Sequence, residues 1–255
     1  MDILSLFRLD GDVAVVTGAG TGIGRGIALG LASAGADVVV AARRADMIEA
    51  VAAEIRAMGR RALAVPTDVM VEDQVKNLVD KTVAEFGKLD IWVNNAGGLQ
   101  GERPVVLRQH TDESFGHILD LNYVAVWRCI RLAQEFIQPG GRFINVSSIA
   151  ADRNGTPTNG PYGAAKAAVN HLTKTYAAEL ARRKIRVNAI APGPVDTEDF
   201  RESMRIGDAE VQAMAKNVIL GRMGSDEDFG AAAVYLASKA SDWVTGQVLV
   251  VSGGP

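Results

Sequence analysis

Apolar residues follow two rhythms along this chain. Short β-branched runs alternate with stretches where apolar positions recur every three or four residues, the spacings of buried strands and of helices packed on one side. The first run is Val13 to Val16, followed by a Gly-rich turn and a helix carrying Ile23, Ile27 and Leu31. Gly35 closes that helix, Val38 to Val40 make the next strand, and Asp46 to Met58 make a second helix stopped by Gly59, glycine being a common helix terminator. The alternation continues through a strand at Ala62 to Val65, a helix around Val75 to Phe86 and a strand at Ile91 to Asn94. One helix near Phe115 to Phe136, the strand Arg142 to Val146 and a long helix from Tyr162 to about Arg183 come next. The strand Val187 to Ile190, a less regular segment near Asp196 to Leu220, a helix from Asp226 to Ala237 and the strand Val248 to Val251 complete the pattern.

Seven strands alternating with helices predict an α/β fold. The strands are nearly continuous Val, Ile and Ala, so both faces of the sheet must be covered, as in a doubly wound parallel sheet of Rossmann type. No linker, low-complexity tract or fixed-period repeat interrupts residues 1–255, which read as a single domain. In such sheets ligands bind beyond the carboxyl ends of the strands.

Composition removes several function classes. With 48% hydrophobic and 22% charged residues the chain can form a large core. A net charge of -3 argues against a nucleic-acid partner, which is held through clustered Lys and Arg. The dense basic cluster, Arg182, Arg183 and Lys184, falls at a helix end, where cations meet the negative end of the helix dipole, and is expected to be solvated there. The apolar runs are strand-sized and far short of the roughly twenty residues of a membrane span. A lone Cys129 cannot form an internal disulfide, and Asp2, Arg8, Asp10 and Asp12 interrupt any apolar leader, so a cytoplasmic setting is expected. His110, His117 and His171 show no ligand spacing with Cys or one another, and no metal is expected.

The candidate chemistry begins in the turn after the first strand, Thr17-Gly18-Ala19-Gly20-Thr21-Gly22-Ile23-Gly24. Glycines there allow positive φ and close backbone approach to a pyrophosphate, and the following helix offers its unpaired N–H groups to the charge. The spacing G-x-x-x-G-x-G departs from G-x-G-x-x-G and resembles that of the short-chain dehydrogenase/reductase family. In family order follow Asp68-Val69, "NNAG" from Asn94 to Gly97, Asn122, Ser148, "YGAAK" from Tyr162 to Lys166, and Pro192-Gly193 with Thr197. The resemblance implies cofactor contacts at Gly18, Thr21, Gly22, Ile23 and Gly24. It places Asp68 and Val69 beside an adenine, Asn95, Ala96 and Gly97 beside the cofactor, and Pro192, Gly193, Val195 and Thr197 near the nicotinamide, with Val195 and Thr197 at its amide. As a polar strand end, "NNAG" is also expected to serve the scaffold.

The end of the second strand bears on the cofactor's phosphate state. An acid there would accept from a free ribose 2′-hydroxyl, but the position holds Ala42, followed by Arg43 and Arg44, whose guanidinium groups suit a 2′-phosphate. NADP(H) is therefore expected over NAD.

Tyr162 and Lys166 are four residues apart and share one face of a helix whose buried side carries Ala165, Val169, Leu172, Tyr176 and Leu180. Tyrosine titrates near 10, so as a base it needs a neighbour such as an ammonium to stabilise its phenolate. Ser148 lies just beyond the strand ending at Val146, where its hydroxyl can polarise a substrate carbonyl; the family pattern favours it over Ser147, a strand-end hydrogen-bonding residue. Asn122, inside an apolar helix, is a structural bridge or, as the resemblance implies, an anchor for a water chain supplying protons through Lys166. Lys166 would also hold the nicotinamide ribose.

The resulting expectation is an alcohol dehydrogenase or carbonyl reductase interconverting a secondary alcohol and a ketone, with Tyr162 as general acid/base. Two alternatives stay open: reduction of an enoyl-CoA double bond, and a noncatalytic NADP-binding sensor. Substrate choice is expected in the loops Gly98 to His110 and Asp152 to Pro161, and in a lid at about 196–220 carrying Phe200, Met204, Ile206 and Met214, which suits a bulky apolar substrate. "NNAGG" and "WVTGQVLVVSGG" resemble strings in bacterial hydroxysteroid dehydrogenases and in other reductases of the family. The resemblance also implies a homotetramer.

Overall fold

A computed structural model describes residues 2–99, 104–152 and 157–254. Its centre is a seven-stranded sheet in the order β3-β2-β1-β4-β5-β6-β7 with every pairing parallel. The strands are β1 (Val13–Thr17), β2 (Asp37–Ala42), β3 (Ala62–Pro66), β4 (Leu89–Asn94), β5 (Ile137–Val146), β6 (Arg186–Pro192) and β7 (Val248–Val251). The helices are α1 (Gly22–Ser33), α2 (Ala45–Ala57), α3 (Glu72–Phe86), α4 (Asp112–Leu119), α5 (Ala125–Ala133), α6 (Gly160–Glu179), α7 (Glu198–Met204), α8 (Asp208–Ala215) and α9 (Asp226–Ala237).

Side chains alternate across each strand, so one sequence feeds two cores. Ala14, Val16, Val38, Val40 and Ile144 pack with α1, α2 and α9, while Val15, Val39, Trp92, Phe143 and Val187 pack with α3, α5 and α6. That is why the central strands read as unbroken apolar runs. On the first face α1 and α9 approach through glycines, and a Cβ at Gly30 would stand 2.7 Å from Gly230 Cα. The strand order reverses between β1 and β4, the position at whose carboxyl ends ligands of such sheets bind.

Four expectations change. The single helix expected at Phe115 to Phe136 is α4 and α5 joined by a π-helical turn at Asp120–Val124. The Asn122 side chain donates to Ile118 O at 3.0 Å, taking a carbonyl that an α-helix would give to a backbone N–H. The strand expected from Arg142 begins at Ile137, across a register shift against β4. The segment at 196–220 holds two short helices, α7 and α8. The basic cluster also divides: Arg182 and Lys184 are exposed, but Arg183 is half-buried and donates to Gln134 O and Ile137 O, each at 2.6 Å, securing the chain between α5 and β5.

Among the described residues no helix is long and apolar enough to cross a membrane, and no cluster of His, Cys, Asp and Glu is placed to hold a metal. Cys129 is unpaired and buried, and burial pushes its thiol up to about 12.

Candidate active site

The loop leaving β1 is shaped by what lies against it. Gly18 has φ +63°, and a Cβ there would stand 2.8 Å from Ala96 Cα and 2.9 Å from Asn95 Nδ2. Asn95 Nδ2 donates to Thr17 O and Gly18 O, both at 3.0 Å, while Thr17 Oγ1 accepts from Asn95 N and Ala96 N. The loops after β1 and β4 are thereby tied together, and the side chain of Asn95 works for the scaffold. Thr21 caps α1 without giving its side chain to the helix, so the first-turn N–H groups stay available to an anion.

Beyond the carboxyl edge lies a cleft of about 1400 Å³. Gly18, Thr21, Gly22, Ile23 and Gly24 line it from the first loop, and Arg43 and Arg44 from the end of β2. Asp68 and Val69 line it after β3, and Asn95, Ala96 and Gly97 after β4. Ser148, Tyr162, Lys166, Pro192, Gly193, Val195 and Thr197 also line it. Asn122 alone among the expected site residues stands behind it, fully buried. A cradle that Cβ atoms would fill, an open helix N-terminus and two exposed arginines fit the size and charge of a nicotinamide dinucleotide.

At the other end of the cleft, α6 delivers Tyr162 and Lys166 from consecutive turns. A buried polar chain holds α6 to the sheet: Trp92 Nε1 donates to Asn94, Asn94 to Asn145, Asn145 to Thr173 Oγ1 at 2.9 Å, and Thr173 to Val169 O. Every link is satisfied, so the chain rigidifies the interface. Lys166 is 3% exposed; its Nζ donates to Val146 O at 2.9 Å and lies 5.5 Å from the Tyr162 ring centroid. Burial pulls its pKa down to about 8. Tyr162 differs from expectation: burial pushes its phenol above the usual value, and the hydrogen bond from Ser148 opposes that only partly. The Ser148 oxygen accepts from Ala150 N at 3.1 Å, which leaves its O–H free to donate. Ser147, as expected, serves the strand end, donating to Lys166 O. Asn122 Oδ1 accepts from Gly98 N at 2.8 Å and its Nδ2 donates to Gly98 O at 2.9 Å, clamping the β4 loop. A Cβ on Gly97 would stand 2.8 Å from Asn122 Oδ1 and 3.2 Å from Lys166 Nζ, so these groups meet behind one glycine.

A family model described as enoyl-(acyl carrier protein) reductase matches residues 18–255. The 7α-hydroxysteroid dehydrogenase of Escherichia coli is 37% identical over 249 residues, covering 97% of this chain and 95% of that protein. The chain is a short-chain dehydrogenase/reductase. Among solved structures of this dehydrogenase/reductase family, a 7α-hydroxysteroid dehydrogenase complexed with NADH and 7-oxo glycochenodeoxycholic acid superposes with TM-score 0.91 at 36% identity, covering 98% and 96% of the two chains. A Burkholderia cenocepacia short-chain dehydrogenase in complex with NADP gives 0.89 at 34% identity, covering 97% and 98%. These relatives are oxidoreductases, and so is this short-chain dehydrogenase/reductase; the two neighbours carry different nicotinamide cofactors.

Several residues of the site escape sequence patterning. Thr17 reads as the first residue of the Gly-rich turn, whereas it ends β1, and only its hydroxyl's two N–H partners reveal its role. Asp199 on α7 accepts from Thr21 Oγ1, a contact between residues distant along the chain that no local motif announces. Phe200, Met204 and Met214 line the cleft, whereas Ile206 is half-buried outside its lining. Leu99, Pro104 and Thr158 to Gly160 line it from the expected substrate loops; residues 100–103 and 153–156 of those loops lie outside the described residues.

Proposed function

We propose that this short-chain dehydrogenase/reductase interconverts a ketone and a secondary alcohol with NADP(H), residues 1–255 acting as one dinucleotide-binding and catalytic domain. The observation that carries the proposal is the convergence of Ser148, Tyr162 and Lys166 on one end of a cleft whose other end presents Arg43 and Arg44. Bound nicotinamide would supply or accept the hydride. Gly18, Thr21, Gly22, Ile23 and Gly24 would hold the pyrophosphate, Asp68 and Val69 the adenine, Ala96 and Gly97 the ribose side, and Pro192, Gly193, Val195 and Thr197 the carboxamide end, with Asn95 fixing the loop that carries them.

Tyr162 gives its phenolic proton to the carbonyl oxygen, and Ser148 donates to the same oxygen as charge grows on it. A raised phenol pKa keeps Tyr162 protonated at neutral pH, the form that reduction needs. Oxidation needs the phenolate, so its rate rises as pH climbs above neutral, while reduction falls there. Lys166 places an ammonium 5.5 Å from the Tyr162 ring centroid and retains N–H donors for the ribose. Asn122 holds the Gly97-Gly98 loop against Lys166 and can orient a water toward it. The 196–220 segment serves as the lid, and its Phe200, Met204 and Met214 favour a substrate with a bulky apolar body over a free sugar. Half-exposed Trp127 on α5 and Phe115 on α4 support assembly into a homotetramer through these helices, and the unpaired Cys129 goes with a cytoplasmic setting.

A panel of apolar ketones, free sugars and a 2-enoyl thioester, followed through NADPH absorbance, tests the proposal. Ketone reduction is expected. Oxidation of NADPH by the enoyl thioester alone would instead support double-bond reduction, and NADPH binding without turnover of any compound would support a sensor.

A further inference from the structure

The cleft's two phosphate-facing groups already share a partner on the lid. Thr21 is the N-cap of α1 and Arg44 the N-cap of α2, so each stands where a helix offers its positive end. Thr21 turns its hydroxyl away from α1 and donates to Asp199 Oδ2 at 3.3 Å. The other oxygen of the same carboxylate, Oδ1, lies 3.9 Å from Arg44 Nη2. Asp199 sits in the first turn of α7, rooted by Thr197, whose hydroxyl accepts from Phe200 N at 3.1 Å and whose methyl would stand 3.0 Å from a Cβ on Gly22. One lid carboxylate thus bridges two helix N-termini across the groove, in the position of an anion.

We infer that Asp199 sets the cleft's affinity and phosphate preference by competing with the dinucleotide's phosphates for Thr21 and Arg44, and so couples lid position to cofactor occupancy. The inference rests on the proposed 2′-phosphate site at Arg43 and Arg44. A phosphate reaching Arg44 must displace the carboxylate or lie beside it, and like charges at such range repel. Arg44 and Asp199 are both more than half exposed, so the competition is modest and weakened by salt. It tells more against a nucleotide with a 2′-phosphate than against one without, because Arg44 is one of the two arginines of that proposed site.

Calorimetric titration with 2′,5′-ADP and with 5′-ADP separates the possibilities without relying on turnover. Asp199→Asn keeps the size and the hydrogen bond to Thr21 but removes the charge. It should tighten 2′,5′-ADP by about two- to five-fold at low salt, with a smaller change for 5′-ADP. The gain should shrink at high salt and disappear in an Arg44→Ala background. A wild type that prefers 2′,5′-ADP together with an Asp199→Asn variant that binds it no tighter would overturn the role of Asp199 alone. A wild type holding both nucleotides equally would overturn the 2′-phosphate site, and the inference with it.

Discussion

Two buried cations sit at opposite edges of the same sheet and have opposite surroundings. Arg186, at the amino end of β6, donates to Leu236 O and Ser241 Oγ at 2.9 Å and to Ser238 O at 3.0 Å, closing the carboxyl end of α9. Burial lowers its pKa to about 10, which leaves it charged at neutral pH. Lys166, below the carboxyl end of β5, has one protein acceptor among the described residues, Val146 O, although an ammonium carries three donors. Arg186 is saturated by the fold and Lys166 is held short of saturation. The comparison separates a cation that stabilises from one poised for another molecule.

Removing each cation should break that symmetry most visibly. Lys166→Met should lower turnover by about 10²- to 10⁴-fold and leave thermal stability unchanged or higher. The lysine's native pKa of about 8 lies below its ordinary 10.5, so the native state carries a penalty of about 3 kcal/mol while the ammonium is charged. That penalty is complete below the native pKa and disappears as pH rises from about 8 through 10.5, so wild type should gain stability over that window and the Met variant should not. The unpaired Val146 carbonyl offsets about 1 kcal/mol of the gain. Arg186→Met should do the reverse, costing about 2–4 kcal/mol through orphaned carbonyls while turnover per folded molecule stays within about two-fold. Thermal melts and steady-state rates on both variants check the pair; a Lys166→Met protein that melts well below wild type would assign that lysine to the scaffold.

Asn122 sharpens the comparison, because it belongs to both categories. Asn122→Leu removes the clamp on Gly98 and the bond to Ile118. It should cost about 1–3 kcal/mol and lower turnover by about ten-fold or more through the displaced Gly97 loop, read by melting and by kcat together. The smallest effect is expected at the far end of the cleft, where the arginines are solvent-exposed. Ala42→Asp with Arg43→Ile should shift the NADPH-to-NADH ratio of kcat/KM by about ten-fold toward NADH; a wild type that uses NADH equally well would contradict the 2′-phosphate site.

The seven strands and their parallel, doubly covered arrangement were legible because burial on both faces leaves unbroken runs such as Val13 to Val16. The site was legible where chemistry has a fixed order along the chain: Gly18, Ser148, Tyr162 and Lys166 reach one cleft as their positions implied. The π turn at Asn122 was not, since one asparagine amide bonding Ile118 O alters the helix without disturbing its apolar period. The helices α7 and α8 were hidden by a charged, short-period segment whose end contacts, the Thr197 hydroxyl accepting from Phe200 N and the Glu210 carboxylate accepting from Gly207 N, define them more than any apolar stripe. The bridge from Asp199 to Thr21 and Arg44 needs three loops brought together and has no local signature. The phenol's raised pKa was missed for a related reason: spacing places Lys166 on the same face but says nothing of burial.

The most direct measurement is the rate of ketone reduction by Tyr162→Phe at saturating NADPH, paired with a fluorescence titration of NADPH binding. With Tyr162 as the proton donor, NADPH affinity should stay within about two-fold while the rate falls by about 10³-fold or more. A variant that reduces the ketone within about ten-fold of wild type would show that the proton comes from elsewhere.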